Sequence, residues 1–171
     1  MVDNLQKLFR GRTHFGGFFV LFLAGFSCIS PQYSEECRQF YREISSSERD
    51  RLFPNYDLDR QLFLAECGLE EIPPTSHYSF RIAAKGKSIV PTLLERLESA
   101  KNPRSKEAIL ITFLALSIRG EIDDEAILHR IRIVIDKMPR GYEKEELERR
   151  FAEIRQNVDE TKQGLGPKIK R

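Results

Sequence analysis

The sequence predicts an all-α domain, an antiparallel array of about six or seven helices with HEAT-like character, within residues 35–161. Apolar residues recur there at intervals of three and four, which is typical of amphipathic helices. Prolines and glycines separate these segments, as expected at helix ends. No segment shows the alternation of apolar and polar residues that indicates a half-buried strand.

The longest apolar run within residues 35–161 marks the helix around which the others are expected to pack. Residues 108–116 are apolar at almost every position. A helix formed by this run needs to be covered from more than one direction. Asn102 and Pro103 predict its start, because asparagine caps helices and proline fits the first turn. Gly120 predicts its end.

The first three predicted helices each carry an apolar stripe at helical spacing. Asp57 is a suitable N-cap for the second of them, and Gly68 and Gly86 fit the ends of the second and third. Residues 45–47 are expected to close the first helix, and residues 53–55 are read as a link, because Pro54 disfavours helix just before it. The approximate bounds of the three helices are residues 33–44, 57–67 and 77–85.

Four further helices complete the set. Three of them begin near residues 88, 103 and 123, and the last spans about residues 143–161. Pro91 is tolerated in the first turn of its helix. Asp123 is expected to cap the helix that follows the apolar run, and Pro139 ends it. Residues 162–171 are expected to form a loose basic tail.

Residues 1–27 are interpreted as a signal peptide. Lys7, Arg10 and Arg12 precede about thirteen apolar or small residues, the length of a signal-peptide h-region. This stretch is too short for a comfortable membrane span, which needs about 20 residues. Two alternatives are a buried helix, which the adjacent glycines and the basic lead-in disfavour, and a retained membrane anchor facing the periplasm.

Small residues lead to Cys28, and this segment resembles a bacterial lipoprotein signal, which is cut before a cysteine that becomes lipidated. The resemblance implies that Cys28 is the lipid-attachment site and that residues 28–34 are a tether. It also implies a place at the cell envelope, with Ile29 favouring the outer membrane. Gly25 stands where leucine is usual, and Ser27 also suits ordinary signal-peptidase cleavage.

Two cysteines remain once Cys28 is assigned to lipid. Cys37 and Cys67 lie on the first and second predicted helices, and an even count in an exported protein predicts a disulfide. Closing this loop of about 30 residues would stabilise the fold by roughly 3–4 kcal/mol in the chain-entropy model. The alternative is a pair of reduced, buried cysteines that act as small hydrophobic residues.

Residues 83–94 resemble a HEAT-type repeat. A helix ends near Gly86, and Pro91 near the start of the next helix leads into the pair Leu93 and Leu94. Residues 102–108 are similar to the opening of a following repeat. This resemblance covers about 40 residues and implies stacked helix pairs whose concave surface binds protein partners.

No motif in the sequence indicates catalysis, a metal or a cofactor. His77 and His129 have no neighbouring ligand at metal-binding spacing, and the chain contains no GxSxG, P-loop or GxGxxG pattern. Lys7, Arg10, Arg12 and Asp3 all precede Cys28, so residues 28–171 hold 25 basic and 25 acidic residues. This neutral balance disfavours nucleic acid as a partner.

Four basic residues near the predicted helix turns form a candidate edge for an acidic partner or an anionic lipid head group, the alternative being an ordinary solvated face. They are Arg81, Lys85, Lys87 and Lys106. The sequence therefore predicts an exported, lipid-anchored, non-enzymatic module of the bacterial cell envelope that binds a protein partner. The alternative is an envelope enzyme or a carrier of a small apolar ligand, with a pocket between helices.

Overall fold

The computed structural model describes residues 31–71 and 73–165, and within these residues the chain is helical and has no strand. The all-α prediction is confirmed. The signal peptide, residues 28–30 of the predicted tether, which include Cys28, and the end of the predicted tail lie outside the described residues. Eight α-helices are present among the described residues: α1 Pro31–Arg38, α2 Ser46–Leu52, α3 Leu58–Glu70, α4 His77–Ala83, α5 Val90–Ser99, α6 Pro103–Ile118, α7 Glu125–Asp136 and α8 Tyr142–Lys162.

A boundary between two compact units falls between Arg38 and Gln39. The described part of the first unit is α1, where Glu35 and Arg38 form an exposed ion pair of 2.5 Å. The second unit begins with a π-helical turn, Gln39–Glu43, and contains α2 to α8. The hydrophobic core described below lies in this second unit.

Helix α6 is the centre of the second unit. It packs against α3, α4, α5 and α8. Every residue from Ala108 to Ser117 is buried. Because apolar side chains point in all directions from this helix, it has no face suited to water. The prediction that the apolar run is covered from more than one side is confirmed.

The remaining helices are arranged as pairs around α6. Contacts join α3 to α4, α5 to α6 and α7 to α8, and each pair is consecutive in the chain. Helices α4, α6 and α8 are successive neighbours, and α5 packs against α7. Helices of neighbouring pairs therefore stack on one another in two layers.

Several helix ends form where the sequence predicts them. The Asp57 side chain accepts a hydrogen bond from a backbone N–H in the first turn of α3. Asn102 caps α6 in the same way, with Pro103 in the first turn. Gly86 and Gly120 lie just beyond α4 and α6 with φ of 73° and 68°, the left-handed conformation that glycine adopts at low cost.

Two helix starts differ from the prediction. Residues 46–52, for which no helix was predicted, form α2, because the Ser45 hydroxyl accepts a hydrogen bond from the Glu48 backbone N–H and caps this short helix. Helix α7 is capped by Asp124 and not by Asp123. The Asp123 carboxylate instead pairs with Lys87 at 2.9 Å.

The helices extend slightly beyond the predicted domain of residues 35–161. Helix α1 begins at Pro31, inside the predicted tether. Helix α8 continues to Lys162, whose ammonium group pairs with Glu125 of α7 at 2.6 Å. The first residue assigned to the tail is therefore part of the helical domain.

The sequence predicts that Gly68 ends its helix, and this prediction is wrong, because α3 continues to Glu70. It lies where two other segments approach the helix closely. A Cβ atom at this position would lie 2.5 Å from the Tyr41 hydroxyl and 2.8 Å from the Thr75 carbonyl oxygen. The Tyr41 hydroxyl is itself held by donating to the Leu64 carbonyl at 2.7 Å. Glycine is needed here for space.

We expect Gly68→Ala to lower the free energy of unfolding by about 1–3 kcal/mol, because the added methyl group overpacks a buried contact. Urea unfolding measures this change. Tyr41→Phe removes one of the two oxygens that the methyl group meets, so the double variant should cost less than the sum of the single variants. Strict additivity would contradict the steric explanation.

Candidate functional site

A cleft of about 550 Å³ lies in the second unit, where the ends of four helices meet. Its walls come from the end of α5, the start of α6, the end of α7 and the start of α8. The turn between α5 and α6 contributes Lys101, and the turn between α7 and α8 contributes Pro139 and Arg140. Side chains from two separate turns thus face one cleft.

Part of the cleft wall is apolar. Ile133 and Val134 of α7 line it with Met138 and the prolines Pro103 and Pro139. Ile133 is 38% exposed, although most large apolar side chains of the described residues are buried. It lies outside the stripe of α7 that packs into the core, so its exposed surface is available to a ligand.

The charged groups of the cleft are mainly positive. Glu98 is already paired with Arg130 at 2.8 Å, which leaves Glu143 as the second carboxylate of the lining. An excess of cations in a concave site attracts anionic groups. The cations that line the cleft are Lys101, Lys106, Lys137 and Arg140.

Lys106 has a structural role in the cleft wall. Its side chain is largely buried, and its ammonium group donates hydrogen bonds to the carbonyl oxygens of Ala100 and, at 3.5 Å, Leu97. These carbonyls lie at the end of α5, where the helix itself supplies no partner. Burial lowers the pKa of Lys106. A cation placed here also offsets the negative end of the helix dipole.

Lys144 supplies hydrogen-bond donors to the carbonyl oxygens at the end of α7, as Lys106 does at the end of α5. Its ammonium group donates to the carbonyl oxygens of Asp136 at 3.3 Å and Met138 at 3.4 Å. The other three cations differ, because Lys101, Lys137 and Arg140 are exposed and their side chains have no ion-pair or hydrogen-bond partner among residues 31–71 and 73–165. These three are free to meet an anionic ligand.

The structure does not bring the four residues of the predicted basic edge together. Arg81 pairs with Asp50, and Lys87 is held by the carboxylate next to α7. Lys85 is exposed. Lys106 binds the carbonyls at the far end of α5, whereas Lys87 precedes its start. Two of these cations are therefore neutralised, and Lys106 belongs to the cleft.

Sequence reasoning missed Lys101, Lys137 and Arg140. Each lies within two residues of a proline, which is the only local signal. Nothing in the sequence indicates that the two turns meet. The pairing of α5 with α7 and of α7 with α8 brings them together.

The two histidines outside the signal segment lie away from the cleft. His77 is exposed, and its Nε2 lies 3.3 Å from a carboxylate oxygen of Asp50. His129 is also exposed. Within the described ranges, no group of three or more His, Cys, Asp or Glu side chains is placed to hold a metal ion.

Cys37 and Cys67 are each disulfide-bonded, as the sequence predicts. Both side chains are buried. No helix in the described part of the chain has the length and apolar character required to span a membrane.

Comparisons with protein-family models, with curated proteins and with solved structures give no significant match.

We expect Lys106→Met to lower the free energy of unfolding by about 1.5–3 kcal/mol, the usual worth of hydrogen bonds from a charged group. Methionine keeps most of the apolar contacts of the lysine chain but leaves the end of α5 without a donor. Lys101→Met, at an exposed and unpaired position, should change stability by less than about 0.5 kcal/mol. Equal small effects in thermal or urea unfolding would contradict the capping role.

Proposed function

We propose that this protein is an exported, lipid-anchored interaction module of the bacterial cell envelope, whose helical domain binds a protein partner. The observation that supports this most directly is the combination of a filled core with an open cleft that carries unpaired cations. A site of this kind recognises a ligand by charge and shape. Covalent catalysis requires a nucleophile paired with a base, and the lining of the cleft offers no such pair.

The packing of the core favours the module over the alternative of an enzyme or an apolar-ligand carrier. Such a carrier needs a concave, mostly apolar pocket that encloses its ligand. The apolar run of α6 is instead fully packed, with Leu110, Phe113 and Leu116 completely buried. His77, which a catalytic site between helices could have used, is exposed and adjoins Asp50.

The disulfide supports export. Disulfides form and persist in oxidising compartments such as the periplasm and are rare in the bacterial cytosol. A bridge between Cys37 and Cys67 agrees with the basic and apolar lead-in before Cys28. Lipidation of Cys28 would then hold the domain at a membrane surface, since each buried CH₂ of an acyl chain contributes about 0.8 kcal/mol.

The arrangement of the helices supports the HEAT-like part of the proposal. Three consecutive helix pairs stack through α4, α6 and α8 on one side and through α5 and α7 on the other. Repeat arrays bury a continuous core in this way and need about three repeats to be stable. Their exposed surfaces serve protein partners in many cases, and this link to function is an analogy of architecture.

The intact mass of the protein purified from membranes tests the anchor. We expect a chain that starts at Cys28 and carries added lipid mass, and a rise of about 2 Da on reduction as the disulfide gains two hydrogens. Cys28→Ala should prevent lipid attachment and leave the protein uncleaved or released from the membrane fraction.

Cys67→Ser is the matched control, because it removes a cysteine without touching the lipid site. It should retain the lipid mass and lose the response to reductant. A full-length chain with free thiols in wild-type cells would rule out the proposed export.

A further inference from the structure

We propose that the cleft binds an acidic peptide segment of the protein partner, with an apolar residue of that segment seated against Ile133 and Met138. This assignment rests on the proposed interaction function and specifies the chemistry of the partner. It follows from three features of the cleft, which are its apolar wall, its unpaired cations and the way the other cations are already used.

The apolar wall selects for a side chain rather than for a charged group alone. The volume of about 550 Å³ lies within the range of about 300–1,000 Å³ that is usual for ligand pockets. It suits a short extended segment with one or two apolar side chains. Burying the exposed part of Ile133 would contribute to affinity in proportion to the apolar area removed from water.

The unpaired cations flank this wall from two directions. Lys101 comes from the turn between α5 and α6, and Lys137 and Arg140 come from the end of α7 and the turn after it. Carboxylates on both sides of an apolar residue would meet both groups of cations. Arg140 can also hold a carboxylate through two parallel hydrogen bonds, because its guanidinium group is a planar fork.

A purely structural role for these cations is less consistent with the contacts. Positive residues often stabilise helix C-termini, and two such ends line this cleft. The carbonyl oxygens at those ends already accept hydrogen bonds from Lys106 at α5 and from Lys144 at α7. Other exposed cations nearby have partners as well, such as Arg96 with Asp59 at 2.5 Å.

The test uses the full chain in detergent solution and a defined probe. The probe is a fluorescein-labelled peptide of eight residues, with two central leucines flanked on each side by aspartates and glutamates. Fluorescence anisotropy should show saturable binding that weakens as salt rises, because screening reduces charge attraction. A peptide with serines in place of the leucines, and one with lysines in place of the acidic residues, should each bind at least about tenfold more weakly.

Lys137→Glu/Arg140→Glu reverses two of the unpaired cations and should weaken binding at least about tenfold. Lys85→Glu/Arg119→Glu is the matched control, since it makes the same change in net charge at exposed positions outside the cleft. The control should bind the acidic peptide within about twofold of the wild type. Circular dichroism confirms that both variants keep their helix content.

Two results would overturn the assignment. One is equal or absent binding of the acidic peptide in the wild type and in the Lys137→Glu/Arg140→Glu variant. The other is binding to phosphatidylglycerol vesicles that the cleft variant loses, without any binding of the peptide, because the cleft would then serve a lipid surface.

Site-specific photo-crosslinking in cells separates this failure from failure of the proposed function. A benzophenone amino acid is placed at Ile133 in the cleft or at Phe80, which is exposed on α4. A protein crosslinked only from Phe80, with no peptide binding, would retain the interaction function and overturn the cleft assignment. No crosslinked protein from either position, together with no peptide binding, would overturn both.

Discussion

The burial of α6 on all sides is the constraint on which the rest of the second unit depends. A helix that is apolar around its whole circumference is stable only when other helices cover each side, and α3, α4, α5 and α8 do so here. The two hydroxyl groups in its buried segment each donate to a carbonyl oxygen of the same helix. The Thr112 hydroxyl donates to the Ala108 carbonyl at 3.0 Å, and the Ser117 hydroxyl donates to the Leu114 carbonyl at 2.8 Å.

The same constraint creates the cleft. Short turns between consecutive helices bring the end of α5 next to the start of α6, and the packing of α5 on α7 adds the end of α7. Helix ends expose backbone carbonyls, which need donors. Lys106 and Lys144 supply donors, and Lys106 lies in the wall of a gap that the core does not fill. The additional cations of the turns make this gap a basic surface.

Local signals predicted much of the fold. The apolar run of α6, its cap at Asn102 and the buried stripe of α8 depend on residues close together in the chain, so they are visible in the sequence. Gly68 was wrongly read as a helix end, because the groups that require glycine there, Tyr41 and Thr75, come from other segments.

Most of the candidate site could not be predicted from the sequence, because its residues come from segments that are distant in the chain. Lys106 was grouped with Lys87, since both are basic and lie near turns. In the fold, Lys106 donates to carbonyl oxygens at the end of α5, whereas Lys87 pairs with Asp123. The two turns that form the cleft are far apart in the sequence. Only the packing of the helices brings them together.

Native-state hydrogen exchange most directly tests the central claim, which is that α6 is the covered centre of the second unit. If α6 is the covered centre of the second unit, its amides from residue 108 to residue 117 should exchange only through global unfolding, with a free energy equal to that from denaturant unfolding. Amides of α2, which has no buried residue, should exchange through much smaller openings. Exchange of the α6 amides through local openings, at a free energy below that of α8, would contradict the account.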